Sequence, residues 1–339
     1  MQDIQTLKEL LSSPKKIIIT THHKPDADAL GSSLGLAGYL KKKNHQVSVI
    51  TPSDYPDFLN WMSGNDEVII YSNNIQKKVE SLINESDIIF CLDFSAISRL
   101  EGIGELIKKS TSFKVLIDHH LEPEKFADFE YWFPKAAATC ELIYDFLEDL
   151  GELSYIDIPI AECLYAGIMT DTGSFRHNST SKKVHQIVAE LIDLGIDNSA
   201  IHRRIFDNNT EDKLRFLGHA LSEKLVVLKE FNTAYFVISK EDLEKFSSKT
   251  GDTEGLVNYA LSIENIVLAA VIIERKEAIK LSFRSVGEFS VNDFARKYFE
   301  GGGHRNAAGG ISYVSLEETV KKFQDILPLY QQSLKNINK

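Results

Sequence analysis

Short apolar runs recur along the first half of the chain, and a helical stretch separates most of them. They are KKIIIT (15–20), QVSVI (46–50), the weaker DEVIIY (66–71), DIIFCLD (87–93) and FKVLID (113–118). Such runs, without polar alternation, read as strands buried on both faces. Helices between them leave crossover connections as the way to join neighbouring strands. The first half is therefore α/β, a doubly wound parallel sheet. Its first crossover helix, about 30–43, carries a small-residue face from Ser32, Gly35 and Gly38.

From about 136 the pattern turns helical, through AAATCELIYDFLEDLG, IPIAECLYAGIMTDTG and SKKVHQIVAELIDLG. The stretch 198–219 is charged and amphipathic and lacks strand signals. Strands then return as KLVVLKE, TAYFVIS, ENIVLAAVIIER and AIKLSFRS, before a helix (VNDFARKYF), a glycine cluster and a last strand and helix. The pattern predicts a domain over 1–197, a helical connector over 198–221 and a smaller α/β domain over 222–339. A cleft between the two domains is expected. The start, MQDIQTLKELLSSPKK, reads as an amphipathic helix rather than a signal peptide.

Three of the apolar strands end in metal-type ligands. KIIIT runs into His22-His23-Lys24-Pro25-Asp26-Ala27-Asp28, DIIFCL into Asp93, and FKVLI into Asp118-His119-His120. A helical segment then delivers Thr170-Asp171-Thr172-Gly173. One Asp after a strand is usually a turn or cap residue. Four such clusters in equivalent positions are another matter, because ligands of open parallel sheets bind outside the carboxyl ends of the strands. They predict convergence on one site.

The donor types narrow the chemistry. Carboxylates and imidazoles without thiolates suit Mn²⁺, Mg²⁺, Co²⁺ or Fe²⁺ better than structural zinc. The ligands are too many for one ion and suit a carboxylate-bridged pair, the arrangement used for in-line attack on phosphorus. Three widely spaced cysteines, Cys91, Cys140 and Cys163, form neither a disulfide framework nor a zinc cluster, which fits a reducing cytoplasm. No apolar run is long enough for a membrane helix. With 38 basic and 49 acidic residues, a net charge of -11 argues against coating long nucleic acid, and leaves a short anionic substrate held by local arginines.

The second domain adds a candidate anion cradle. The run Gly301-Gly302-Gly303-His304-Arg305-Asn306-Ala307-Ala308-Gly309-Gly310 permits close backbone approach to a phosphate. Ser282-Phe283-Arg284-Ser285 precedes it at a strand end, where Arg284 could supply a bidentate contact. The cluster Tyr131-Trp132-Phe133 reads as packing rather than a base-stacking platform.

The motifs His22-x-x-Pro25-Asp26-x-Asp28-Ala29-x-Gly31-Ser32, Asp93, Asp118-His119-His120, Thr170-Asp171-Thr172-Gly173 and Gly301-Gly302-Gly303-His304 occur in the order of a known family. The chain resembles the DHH phosphoesterase superfamily, in the branch where a DHH domain precedes a DHH-associated domain. The usual glycine between the first two aspartates is Ala27 here. The resemblance implies two divalent ions, most suitably Mn²⁺, with Mg²⁺ or Co²⁺ as alternatives. His22, Asp26 and Asp93 would hold one ion; Asp28, Asp93, His119 and Asp171 would hold the other. Asp118 would orient the histidine pair and His120 would touch the scissile phosphate. Arg99, Arg176, Arg284, Ser285, Gly302, Gly303 and His304 would bind substrate.

That branch contains the bacterial oligoribonucleases, or nanoRNases, that also dephosphorylate 3'-phosphoadenosine 5'-phosphate. The implied activity is cytoplasmic hydrolysis of oligoribonucleotides to mononucleotides by two-metal-activated hydroxide attack. Substrates of about two to five nucleotides are expected, since no extra nucleic-acid module accompanies the acidic chain. A dinucleotide or cyclic-dinucleotide phosphodiesterase is the alternative enzyme, and a nucleotide-binding sensor the alternative outside enzymes. No membrane partner is expected, and the sequence leaves a homodimer open.

Overall fold

The computed structural model describes residues 4–207, 209–249 and 251–335. It divides into two compact units, Met1–Asn208 and Asn209–Lys339. The division falls inside the segment read as a connector. Of its two helices, Asn198–Phe206 lies in the first unit and Glu211–His219 in the second. At the start, the helix spans Ile4–Leu10, and residues 1–3 of the expected helix lie outside the described residues.

In the first unit, β1 (Lys16–Thr21), β2 (Gln46–Thr51), β3 (Ile69–Ile70), β4 (Ile88–Leu92), β5 (Phe113–Asp118) and β6 (Phe129–Trp132) form one sheet. Their order is β3-β2-β1-β4-β5-β6, and every neighbouring pair is parallel. Ile17, Ile19, Phe90 and Ile117 face one hydrophobic core, whereas Ile18, Ile89, Cys91 and Leu116 face another. This two-sided burial explains the unbroken apolar runs. The edge strand β6 takes in Tyr131 and Trp132 of the cluster read as packing, and Tyr131 is buried against the first core. The chain runs outward from β1 to β3, then returns to β4 and runs the other way. The switch point thus lies between β1 and β4, the strands followed by His22 and Asp93.

The small-residue face of the Ala27–Lys42 helix packs on the Ile158–Asp171 helix at close range. A Cβ on Gly31 would lie 2.5 Å from the Cys163 carbonyl oxygen, and one on Gly167 only 2.7 Å from Asp28 Oδ1. Absence of those methyls brings Asp28, in the first turn of one helix, beside Asp171 at the end of the other.

In the second unit, β7 (Leu225–Leu228), β8 (Thr233–Ile238), β9 (Leu268–Glu274), β10 (Ile279–Ser285), β11 (Gly302–His304) and β12 (Ala307–Ser312) form a mixed sheet. The order is β11-β12-β10-β9-β8-β7, with only β8 and β9 parallel. The glycine cluster is not an open loop here. Gly302 pairs with Gly309, Gly303 with Ala308 and His304 with Ala307, which makes it an edge hairpin.

Candidate metal centre

His22 follows β1 and is buried, with Nε2 3.4 Å from Asp93 Oδ2 and Nδ1 2.9 Å from the His23 carbonyl oxygen. A carbonyl only accepts, so Nδ1 carries a proton and Nε2 is the atom free to ligate. His119, after β5, repeats the arrangement. Its Nδ1 donates to the Ala136 carbonyl at 3.2 Å, while Nε2 lies 3.4 Å from Asp93 Oδ1 and from Asp171 Oδ2, and 3.8 Å from Asp28 Oδ2. Two donors each ~2.1 Å from one ion sit roughly 3.0–3.5 Å apart, so these separations suit shared ligands.

Asp93 sits between the imidazoles, with one carboxylate oxygen towards each. Its φ of +64° is uncommon outside glycine, and its N–H donates to the Ile117 carbonyl at 3.1 Å. Asp26 caps the Ala27–Lys42 helix by accepting from the N–H groups of Asp28 and Ala29 through Oδ1. The donor atoms of His22, Asp26 and Asp93 lie within 4.8 Å of one another, as do those of Asp28, His119 and Asp171. His23 turns away, with Nδ1 3.2 Å from Glu101.

Asp118 accepts from His120 Nδ1 at 2.8 Å through Oδ1. Its contact is with His120, and His119 is oriented by Ala136 instead. Asp118 Oδ2 is buried and takes no hydrogen bond, the kind of atom an ion or water completes.

The electrostatics fit divalent cations. Burial, reinforced by the Asp93 charge, pushes the Asp28 carboxyl up to about 7. Burial and the charges of Asp28 and Asp26 push Asp171 well above the usual range. Burial also opposes ionisation of Asp93, but hydrogen bonds from His119 and His22 outweigh it and hold that carboxyl well below its ordinary value. Burial disfavours the charged form of His119; Asp93, Asp171 and Asp28 overcome this and raise it well above normal. For His22 burial is likewise overcome by Asp93 and Asp26, with the Arg99 charge acting against protonation. Carboxylates crowd beyond what the imidazoles neutralise, so a donor set of oxygens and Nε2 atoms suits divalent cations.

The other candidate residues are distributed as follows. Arg99 is exposed, with its carbonyl accepting from His23 N–H at 2.8 Å. Arg176 follows the Asp171 turn and donates to the Gly173 carbonyl at 2.7 Å. In the second unit, Arg284 and His304 both register with Ala307 on β12, which puts them on one face of the sheet. Ser285 is buried; its hydroxyl donates to Phe289 O at 2.6 Å and accepts from Asn306 Nδ2 at 2.9 Å. Gly302 lies on the edge strand, and Gly303 N–H donates to Asn292 Oδ1 at 2.9 Å. Cys91, Cys140 and Cys163 are free and buried. Among the described residues no helix is long and apolar enough to cross a membrane.

The segment 136–140 was invisible to motif reading. Besides holding His119 through Ala136, it donates two backbone N–H groups to Asp28, from Thr139 at 2.6 Å and Cys140 at 2.8 Å. The Thr139 hydroxyl donates to Asp93 Oδ1 at 2.9 Å. The available signal was a Thr among small residues at a helix start, a pattern with many ordinary causes.

Comparison with known proteins agrees with this architecture. The model of the DHH family, N-terminal domain, matches residues 16–168, and that of the DHHA1 domain matches residues 232–335. The chain is 30% identical to the bifunctional oligoribonuclease and PAP phosphatase NrnA of Thermus thermophilus, over 86% of this chain and 83% of the relative. It is 27% identical to the protein of the same name from Bacillus subtilis, over 93% and 95%. Among solved structures, an exopolyphosphatase-related protein from Bacteroides fragilis superposes with a TM-score of 0.93 at 40% identity, covering 98% of this chain and 97% of that one.

Proposed function

The chain belongs to the DHH family, and from that premise we propose that it is a metal-dependent phosphoesterase of short oligoribonucleotides, releasing mononucleotides, and also a phosphatase of 3'-phosphoadenosine 5'-phosphate. The observation that carries the reading is Asp93, whose two oxygens face His22 and His119 separately, as a ligand shared by two ions requires. The relatives named for both activities support the substrate class.

His22, Asp26 and Asp93 would hold one divalent ion, and Asp28, Asp93, His119 and Asp171 a second, with Mn²⁺ suiting the oxygen and imidazole donors. When bound, the ions would acidify water and neutralise charge on the phosphoryl oxygens. His120, oriented by Asp118, would hold a proton on Nδ1 and turn its Nε2 to the scissile phosphate. Arg99 and Arg176 would add positive charge near that phosphate. Arg284, His304 and the Gly302–Gly303 backbone would grip the rest of the substrate. The committed hydroxyl of Ser285 suits support of the Arg284 strand end better than direct contact.

The test is chromatography of products from end-labelled RNA of two to twenty nucleotides, cyclic dinucleotides and 3'-phosphoadenosine 5'-phosphate, with Mn²⁺ and with chelator. Mononucleotides from the shortest RNAs, lost with chelator and in Asp93→Ala, are the expected result. Turnover that survives chelation, or cleavage of cyclic dinucleotides alone, would overturn the reading.

A further inference from the structure

Thr139 begins a twelve-residue helix and is fully buried, yet its hydroxyl does not serve its own helix. It reaches 46 residues back along the sequence to donate to Asp93 Oδ1. The backbone of Asp93 is in the left-handed region after β4, so strand pairing does not dictate where its carboxylate points. We propose that Thr139 is a positioning residue of the metal centre, whose hydroxyl fixes the plane of the Asp93 carboxylate so that Oδ1 is presented beside His119 and Oδ2 beside His22. This deepens the two-ion reading of Asp93 and rests on it.

A hydroxyl facing an ionised carboxylate acts as donor, so the bond has one direction. It takes one lone pair of Oδ1 and blocks rotation about the last side-chain torsion, which is broad for Asp. Without it the carboxylate can turn, and one of its two oxygens leaves its imidazole. The same residue holds Asp28 through its backbone N–H, joined by Cys140. Thr139 therefore sets the spacing between two carboxylates that would serve one ion. Partners that orient ligands commonly change metal affinity by roughly 10–100-fold.

The substitution Thr139→Val keeps shape and the N–H bond to Asp28, and removes only the bond to Asp93. Calorimetric titration of metal-free protein with Mn²⁺ should show affinity falling at least tenfold in Thr139→Val and staying within threefold in Thr139→Ser. On a 5'-phosphorylated diadenylate, kcat should fall about tenfold in the valine variant while KM stays within twofold, because the lost bond orients a metal ligand and touches no substrate. Thr139→Ala, which adds no methyl against the carboxylate, serves if the valine variant does not fold. Wild-type-like Mn²⁺ affinity in both apolar variants overturns the proposal, as does equal loss in Thr139→Ser. If neither apolar variant folds while Thr139→Ser does, the hydroxyl holds the fold and the proposal falls. Wild-type protein that binds no Mn²⁺ would overturn the two-ion reading itself, an outcome distinct from all of these.

Discussion

His22 and His23 are neighbours whose chemistry diverges because the chain leaves β1 and turns between them. His22 goes inward, donates through Nδ1 to a carbonyl and offers Nε2 beside Asp93; His23 faces Glu101. His22→Ala should therefore weaken Mn²⁺ binding at least tenfold in a calorimetric titration, and His23→Ala by less than threefold. Equal losses would show that the loop register, not the residue type, had been misjudged. At this scale the metal-type residues were legible because each cluster ends a strand or helix strong enough to locate from pattern alone. Thr139 and Ala136 were not, since their roles consist of hydrogen bonds to partners far away in sequence.

Between elements, the approach of the Ala27–Lys42 and Ile158–Asp171 helices matters most for the site. In Gly31→Ala the new methyl would lie 2.5 Å from the Cys163 carbonyl oxygen, a backbone atom that cannot swing aside. Better helix propensity offsets some of this, yet overpacking should leave a net loss of about 1–3 kcal/mol in urea unfolding. Gly38→Ala, whose methyl would meet only the Ile160 side chain, should cost less. Unchanged stability in Gly31→Ala would show that the helices can separate freely. In the second unit, Ser239 caps the Lys240–Lys245 helix and Asp242 completes the capping box by accepting from the Ser239 N–H, while tying the helix to His219 and Lys224, each at 2.8 Å. Burial pushes its carboxyl up, but bonds from Lys224, His219 and Ser239 outweigh that and hold it below its unfolded value of 3.8. Fewer protons are bound in the folded state, so the stabilisation is full above roughly pH 5 and is lost as pH falls through about 4 and below. The stability gap between wild type and Asp242→Asn should thus shrink from pH 7 to pH 3. A gap equal at both would leave capping, without charge, as its origin.

For the molecule as a whole, the expected division of labour puts reaction in the first unit and substrate grip in the second. Arg284→Ala should lower kcat/KM for a dinucleotide at least tenfold, about 1.4 kcal/mol. Slow hydrolysis of bis-p-nitrophenyl phosphate, which lacks a far nucleotide, should be nearly unchanged. Equal drops on both substrates would place Arg284 at the reacting phosphate.

What the sequence determined by itself is the parallel sheet and the residues at the strand ends, because these follow from local apolar periodicity and chemical type. It left open whether Gly301–Gly310 is a loop or a hairpin, since glycine permits both and the pairing of β11 with β12 and of β12 with β10 decides. Tertiary structure alone placed Asp93 between two imidazoles, turned Nε2 of His22 and of His119 towards it, and brought Thr139 to the carboxylates. Those outcomes depend on angles and distances between segments that share no local pattern, and packing, rather than propensity, sets them.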